Sequence, residues 1–243
     1  MKDAIQWVRS LIFIVFAYAG MAVLGIAFSP FALFSRGAAQ MACKTYCVWV
    51  RWLAVWMVGI RTEVRGPVPQ GEVVVAAKHQ SFLDILLIFH TLPRPKFIMK
   101  KELLWTPFIG LYAKRVGCVP VDRGKRGAAI AKMVQDVAKE FADPGQLIIY
   151  PQGTRVPPGS HLPYKVGTHV LYEALDEPCY PAATNVGLFW PKRGIMRRPG
   201  LAVVEFLEPL EPGLPREQFM AELERRIETR SNELMREAGF DAG

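Results

Sequence analysis

The feature that most constrains this chain is a long uncharged segment near its amino terminus. No charged residue occurs from Leu11 to Phe28, and the uncharged stretch continues to Ser35. About 20 apolar residues in a helix cross the core of a bilayer, so this segment is long enough to do so. A signal peptide has a shorter apolar run that leads to small residues at a cleavage site, whereas a bulky Phe-Ser-Pro-Phe sequence follows here. The segment therefore predicts a retained membrane-associated helix.

A second apolar segment, Met41 to Ile60, is interrupted by Lys44 and Arg51. These two basic residues share one face of a helix, which leaves a broad apolar face opposite. Three tryptophans and a tyrosine lie in the same segment, a composition typical of membrane interfaces. We expect a helix in the interface or the return arm of a helical hairpin, and an ordinary core helix is the alternative. Basic residues are more numerous after the first segment than before it, which favours a cytoplasmic position for the rest of the chain.

Charge and cysteine content narrow the classes of partner. A formal net charge of +8 favours anionic partners such as nucleic acid, acidic lipid or phosphorylated small molecules. The sequence contains no recognisable nucleic-acid-binding module and no basic–aromatic interleaving outside the membrane segment, so nucleic-acid binding is rejected. The four cysteines form no CxxC pair and no His/Cys cluster has zinc-ligand spacing, so we expect no metal site.

The remainder of the chain, after a boundary rich in Gly and Pro at residues 66–71, alternates predicted strands with predicted helices. Short apolar, β-branched runs predict buried strands at Glu72–Ala77, Lys96–Lys100, Cys118–Asp122, Gln146–Tyr150, Cys179–Val186 and Leu201–Leu207. Helical patterns occur at Lys125–Phe141, Lys165–Leu175 and Arg216–Ala238. The alternation predicts an α/β sandwich with a mixed, mostly parallel sheet. We therefore divide the chain into a membrane-anchoring helical region, residues 1–65, and an α/β domain, residues 66–243.

A histidine and an aspartate follow the first predicted strand. His79 lies at the exit of the strand, and Asp84 lies in the first turns of the apolar helix that follows, so the helix can return the carboxylate to the imidazole. An aspartate that accepts from one ring nitrogen leaves the other nitrogen basic, which suits the removal of a proton from an alcohol that attacks a carbonyl. The spacing alone occurs often by chance. Since no GxSxG nucleophile elbow is present, direct attack by a substrate hydroxyl is favoured over a covalent acyl-enzyme.

Three further motifs follow in order. The second comprises Lys100-Lys101-Glu102-Leu103, Pro107, Gly110 and the stretch from Gly117 to Arg123. The third is Tyr150-Pro151-Gln152-Gly153-Thr154-Arg155, and the fourth is the proline-bearing stretch from Tyr180 to Gly187. Each motif alone is weak. The ordered set, which covers roughly residues 70–190, resembles the glycerolipid acyltransferase family, in particular its bacterial 1-acyl-sn-glycerol-3-phosphate acyltransferases.

The resemblance implies a fold, a location and a reaction. It implies the α/β sandwich of glycerolipid acyltransferases preceded by a membrane-associated helical hairpin, at a bacterial inner membrane with the catalytic domain on the cytoplasmic side. It also implies that His79, with Asp84, deprotonates the sn-2 hydroxyl of lysophosphatidic acid. The hydroxyl then attacks the thioester of acyl-CoA or acyl carrier protein, without a further cofactor, and phosphatidic acid is formed.

The implied substrate-binding residues are mostly basic or small. A guanidinium offers forked donors that suit a phosphate monoester, and a glycine lets the backbone approach a ligand closely. The residues that the resemblance assigns to substrate binding are Lys100, Lys101, Arg123, Gln152, Gly153, Thr154 and Arg155.

The chain departs from the family pattern at two positions. Gln152 stands where the family usually has glutamate, and Lys78 stands where asparagine is common. The amide keeps the size and an acceptor oxygen but loses the negative charge. Two alternatives therefore stay open: an acyltransferase for another acceptor, such as a lyso-aminolipid or another lysophospholipid, and a non-catalytic, lipid-binding membrane protein of the same fold.

Overall fold

The computed structural model describes residues 2–122, 132–137 and 144–240 and begins with two packed helices. Helices α1 (Lys2–Ala32) and α2 (Arg36–Leu53) form an antiparallel hairpin, in which the backbone at Gly20 lies so close to the Trp49 ring that a Cβ there would clash. Ser35 caps α2, since its side chain accepts a hydrogen bond from the Ala38 amide at 3.2 Å. Within the described residues, α1 is the one helix long and apolar enough to cross a membrane, and most of its surface is exposed.

Among the described residues, seven strands form one mixed sheet. They are β1 (Ile60–Arg65), β2 (Val73–Ala77), β3 (Pro95–Lys100), β4 (Val119–Val121), β5 (Gln146–Ile149), β6 (Cys179–Thr184) and β7 (Gly200–Phe206). Their order across the sheet is β1-β7-β6-β2-β5-β3-β4, and every neighbouring pair is parallel except β6 with β7. The predicted helical hairpin and mixed, mostly parallel α/β sheet are therefore confirmed.

In the part of the chain that the structure describes, four further helices and a helical segment at residues 132–137 connect or cover the strands. The four helices are α3 (Leu83–Thr91), α4 (Ile109–Arg115), α5 (Gly167–Leu175) and α6 (Arg216–Glu237), with short 3-10 turns at Lys101–Trp105 and Val186–Leu188 and a π-helical turn at Ala54–Val58. Of the predicted helix Lys125–Phe141, only residues 132–137 lie within the described part of the chain, and they are helical.

Strand β1 is absent from the strands predicted from the sequence. It pairs in parallel with β7 at the edge of the sheet, from Ile60 opposite Gly200 to Arg65 opposite Glu205. Its side chains are mostly charged or polar because one strand face and the open edge meet solvent, so the segment lacks the apolar run of a buried strand. The strand lies within residues 1–65, and the division of the chain at residue 65 stays a prediction.

Apolar side chains cover both faces of β2, the central strand of the sheet. Val73, Val75 and Ala77 pack in the core that also includes α2 and α3, whereas Val74 and Ala76 pack in the core beneath α6. All five residues are buried, which explains why a continuous apolar run rather than an alternating one predicted this strand. Because β2 and β5 are parallel neighbours, their carboxyl ends meet at one edge of the sheet, where ligands bind in open α/β folds.

Candidate active site

The turn between β2 and α3 brings His79 and Asp84 into contact. His79 follows β2 by two residues, Asp84 is the second residue of α3, and Nδ1 of the imidazole lies 2.8 Å from Oδ1 of the carboxylate. The other carboxylate oxygen accepts hydrogen bonds from the backbone amides of Gln80 at 2.8 Å and Ser81 at 2.7 Å. Asp84 is fully buried in the first turn of α3, where the helix dipole favours a negative charge. The backbone of this short turn therefore fixes the carboxylate.

Tyr150 makes a further contact with both residues. It follows β5 directly, its hydroxyl donates to Oδ1 of Asp84 at 3.1 Å, and its ring stacks on His79 with the centroids 3.9 Å apart. Burial, followed by the adjacent Asp84 carboxylate, raises the pKa of Tyr150 well above its ordinary value, so the hydroxyl remains a donor. In the sequence Tyr150 is only the aromatic residue of the third motif. Its place at the end of a strand beside β2 is the signal that would identify this contact.

The second ring nitrogen of His79 is left for a substrate. Asp84 occupies Nδ1, whereas Nε2 makes no hydrogen bond to any residue that the structure describes. The His79 side chain is 13% exposed, so it is largely enclosed but reachable from solvent. A neutral imidazole that donates from Nδ1 presents an unprotonated Nε2, which is the form that accepts a proton. The geometry therefore suits general-base chemistry on a hydroxyl group.

Residues 151–155, which we call the acceptor loop, lie beside His79. The amide of Val156, just after the loop, donates to the His79 carbonyl at 2.8 Å. Gly153 has a φ of 69°, and a Cβ at this position would meet the Lys165 ammonium at 2.8 Å. Glycine is therefore the residue that fits this turn without strain. The Arg155 guanidinium pairs with no side chain in the described part of the chain, so it remains available for an anion.

Lys192 is a neighbour of the acceptor loop that sequence reasoning missed. Its ammonium donates to the Arg155 carbonyl at 2.8 Å and to the Thr154 hydroxyl at 3.4 Å. The residue lies in a loop 37 positions beyond Arg155 in the chain. No local pattern connects the two, and only the fold brings this cation to the site.

Lys100 and Lys101, two further basic residues assigned to substrate binding from the sequence, lie at the end of β3 and in the turn after it. Lys100 ends β3 and lies 3.3 Å from Glu102, and Lys101 begins the 3-10 turn that follows; both are exposed. They lie at the same sheet edge as His79, but β5 separates β3 from β2. Within the described residues neither lysine forms a hydrogen bond or ion pair with the acceptor loop. Arg123 lies outside the residues that the structure describes.

Gln152 differs from the other loop residues because it points inward. It is 3% exposed, and its amide nitrogen donates to the Leu162 carbonyl at 3.3 Å and to the Glu228 carboxylate at 3.4 Å. Glu228 lies on α6, 76 positions away in the chain. The Gln152 side chain therefore lies on the buried side of the loop, where it contacts Glu228 of α6.

The chain is similar in sequence and in fold to known proteins. The 1-acyl-sn-glycerol-3-phosphate acyltransferase of Pseudomonas aeruginosa is 27% identical over 240 residues, which cover 97% of this chain and 93% of that protein. The alpha form of the enzyme from Mus musculus is 33% identical over 163 residues, covering 65% of this chain and 57% of that protein. The crystal structure of the 1-acyl-sn-glycerophosphate (LPA) acyltransferase of Thermotoga maritima superimposes with a TM-score of 0.79 at 20% identity, covering 96% of this chain and 99% of that one.

The family model for acyltransferases matches residues 60–185, a segment that runs from β1 to the end of β6. It includes His79, Asp84 and the whole acceptor loop. Because this match covers more than half of the chain, the protein belongs to the acyltransferase family.

Proposed function

We propose that this protein is a membrane-associated 1-acylglycerol-3-phosphate O-acyltransferase. It transfers a fatty acyl group from acyl-CoA or acyl carrier protein to the sn-2 hydroxyl of lysophosphatidic acid and forms phosphatidic acid. The observation that carries the proposal is the contact of His79 with Asp84 and Tyr150 beside a loop that presents an unpaired guanidinium. The names of the relatives from Pseudomonas aeruginosa and Mus musculus support lysophosphatidic acid as the acceptor.

In the proposed mechanism His79 acts as a general base. Nε2 accepts the proton of the sn-2 hydroxyl while its oxygen attacks the thioester carbonyl. The carbon–oxygen bond forms, the carbon–sulfur bond breaks, and the imidazolium returns the proton to the leaving thiolate. Asp84 holds the imidazole in the productive tautomer and stabilises the imidazolium, with Tyr150 and two backbone amides fixing the carboxylate. No covalent acyl-enzyme is required.

The acceptor loop supplies the binding site for the phosphate monoester. Arg155 offers two parallel donors to phosphate oxygens, which is the arrangement that makes arginine selective for such groups. Lys165 lies close to Gly153 and Lys192 contacts the Thr154 hydroxyl, so two further cations lie against the loop. In this proposal Lys100, Lys101 and Arg123 remain predicted contributors to the same positive field.

Contacts of α1 support membrane association within one leaflet. At one end of the helix, Gln6 donates to the Arg197 carbonyl at 2.8 Å; at the other, the Ala32 carbonyl accepts from Arg115 at 2.7 Å. These helix residues are about 39 Å apart at 1.5 Å per residue. Contacts of both ends with the same α/β unit favour a helix that lies along one side of the bilayer over a helix that crosses it. We therefore propose that α1 lies in the cytoplasmic leaflet of the inner membrane.

The exposed residues of α1 allow a test of this orientation. Ile12 and Ile26 are 42% and 63% exposed and lie nearly four turns apart, so they share one helix face. Fluorescent labels on cysteines at these two positions, quenched by lipids that carry a quencher at known depths, should report similar depths. A crossing helix would instead carry the two labels to opposite sides of the bilayer midplane.

The proposed reaction is tested with purified protein in vesicles, offered lysophosphatidic acid beside lysophosphatidylethanolamine, lysophosphatidylcholine and a lyso-aminolipid. Acyl-CoA and acyl carrier protein are supplied separately as donors. We expect rapid formation of phosphatidic acid and slower acylation of the other acceptors, because only lysophosphatidic acid carries a phosphate monoester for Arg155. Faster acylation of another acceptor would change the assignment of the substrate. If the folded protein acylates none of these acceptors, the result would support a non-catalytic lipid-binding role.

A further inference from the structure

A group of polar side chains lies on the buried side of the acceptor loop. Within the described residues, these side chains make no hydrogen bond to the His79 side chain. Both oxygens of the Glu228 carboxylate lie 2.7 Å from the Lys78 ammonium. One of them also accepts from the Tyr164 hydroxyl at 2.9 Å and from the Gln152 amide at 3.4 Å. Glu228 is thus the common partner of three residues that lie 150, 76 and 64 positions away from it in the chain. We call these four residues the Glu228 cluster.

The Glu228 cluster is largely shielded from water. Lys78 is 2% exposed, Gln152 3% and Tyr164 9%, while the Glu228 side chain is 19% exposed. Burying an ion pair is weak evidence for a contribution to stability, because desolvation of the two charges offsets much of their attraction. An apolar cluster of the same volume would hold α6 in place equally well. The charges therefore call for an explanation other than attachment of the helix.

The cluster joins α6 to the two segments that build the site. Lys78 is the residue before His79, and Gln152 is the inward-facing residue of the acceptor loop. Next to Tyr164, the Lys165 amide donates to the Pro151 carbonyl at 2.9 Å, so the segment that carries Tyr164 also pairs with the loop. Glu228 therefore contacts the loop directly through Gln152, and it also contacts two segments that adjoin the site through Lys78 and Tyr164. By contrast, His79 and Asp84 are held by contacts that do not involve α6.

Charge explains why an amide occupies position 152. Lys78 and Glu228 carry one charge of each sign, so the cluster is neutral with glutamine at position 152. A glutamate at position 152 would bring a second carboxylate to within about 3–4 Å of Glu228, and two like charges at that separation repel strongly in a buried site. Removal of Glu228 alone would instead leave the Lys78 ammonium buried without its partner. One carboxylate suits this cluster, and it is supplied by α6.

We propose that Glu228 is a positioning residue of the acceptor site: its carboxylate orients Gln152 and thereby the backbone of residues 153–155 for the acceptor phosphate. This inference rests on the proposed function of the acceptor loop. Because the His79–Asp84 pair has its own supports, loss of the Glu228 carboxylate weakens acceptor binding and leaves the chemical step nearly unchanged. Such a substitution should therefore raise the KM for the acceptor and leave kcat nearly unchanged.

The main test is the double variant Lys78→Met/Glu228→Gln, which removes both charges and so avoids a buried, unpaired ammonium. We expect it to fold, to raise the acceptor KM about tenfold, the scale of one hydrogen bond to a charged group, and to change kcat by less than about threefold. The Kd of lysophosphatidic acid, measured without an acyl donor, should rise by the same factor. The matched control is Glu222→Gln on the same helix, whose carboxylate pairs with Arg225 and Arg226 on the surface. It should leave both constants unchanged.

A second variant, Gln152→Glu/Glu228→Gln, moves the carboxylate across the 3.4 Å contact and keeps the Lys78 ammonium in the cluster. We expect this exchange to return the acceptor KM to within about threefold of the original value. Gln152→Glu alone, which places two carboxylates in the cluster, should raise KM and lower the unfolding temperature. Rescue by exchange is a result that a merely structural role for α6 would not produce.

Three outcomes would overturn the inference. They are an unchanged acceptor KM and Kd in Lys78→Met/Glu228→Gln, a fall in kcat at constant KM, and a raised KM that the exchange variant does not restore. Failure of the proposed function is a separate result, since it appears as absence of phosphatidic acid formation by the unmodified protein. In that case the Kd ratios still measure the role of Glu228 in binding the phosphate group.

Discussion

The turn that carries His79 and Asp84 and the acceptor loop lie at the same sheet edge but are built differently. In the turn, the Asp84 carboxylate receives all four of its contacts from residues 79–81 and from Tyr150. In the acceptor loop, the Arg155 guanidinium has no partner within the described residues, and Gln152 is supported by distant Glu228. Three of the four contacts in the first region are local, and the fourth comes from Tyr150, 66 positions from Asp84 in the chain. The second region depends on the long-range contact with Glu228 and presents an unpaired guanidinium.

This difference suggests a division of tasks between the two regions. A group that transfers protons must be held within a narrow geometry, which short local hydrogen bonds achieve. A group that binds phosphate must leave donors unpaired until the ligand arrives. Substitutions in the turn should therefore lower kcat, and substitutions in or behind the loop should raise the acceptor KM.

The largest effect is expected from Asp84→Asn. The two backbone amides that face one carboxylate oxygen require an acceptor there, so the asparagine NH2 group turns toward Nδ1 of His79. Nδ1 then becomes an acceptor, the proton moves to Nε2, and the base is lost. We expect kcat to fall about 10²–10⁴-fold, the usual contribution of general-base catalysis. Steady-state kinetics in vesicles measure this fall, and a kcat within threefold of the original would break the assignment of Asp84.

Arg155→Ala should act on binding. Loss of the guanidinium removes charge-assisted hydrogen bonds to the acceptor phosphate, so the KM for lysophosphatidic acid should rise roughly 10–100-fold. The KM for the acyl donor and the kcat at saturating acceptor should change little. Kinetics with each substrate varied in turn check the prediction. An unchanged acceptor KM would remove Arg155 from the phosphate site and weaken the contrast between the two regions.

Tyr150→Phe should have an intermediate effect on the chemical step. The substitution keeps the ring that stacks on His79 but removes the hydroxyl that donates to Asp84. Since three contacts of the carboxylate remain, we expect kcat to fall roughly tenfold and the acceptor KM to stay nearly constant. If KM rose instead, Tyr150 would belong functionally to the acceptor loop rather than to the turn.

The smallest effect is expected from Lys192→Met. This side chain is partly exposed and contacts the loop through the Thr154 hydroxyl and the Arg155 carbonyl, so its loss should raise the acceptor KM only a few-fold, about the scale of a surface ionic contact. Lys101→Met serves as the comparison. The structure places Lys192 in contact with the loop, whereas Lys101 makes no contact with it within the described residues. A larger effect at Lys101 would favour the assignment made from the sequence.

The parts of the protein that depend on local sequence motifs were predictable from the sequence. The β2 strand is a continuous apolar run and His79 follows it directly, so the strand, the turn and the adjacent helix were all accessible from the sequence. The mixed sheet followed from the alternation of strands and helices. Strand β1 was not predicted because Ile60 and Val64 are its only apolar residues and the other four are charged or polar.

Long-range partners were not predictable from the sequence. Glu228 lies in a helix rich in charged residues, where nothing distinguishes one carboxylate from its neighbours. Lys192 reaches the acceptor loop only because the segment after β6 returns to the sheet edge. The unusual residues Lys78 and Gln152 were visible in the sequence, but their common contact with Glu228 became apparent only in the folded chain.

The most direct test of the account is the rate of phosphatidic acid formation by the His79→Ala variant in vesicles, with membrane binding and unfolding temperature measured in parallel. The account predicts a loss of about 10²–10⁴-fold in kcat, with binding to vesicles and the fold retained, because the variant removes only the base. Turnover close to that of the unmodified protein, from a folded and membrane-bound variant, would contradict the assignment of His79 as the catalytic base.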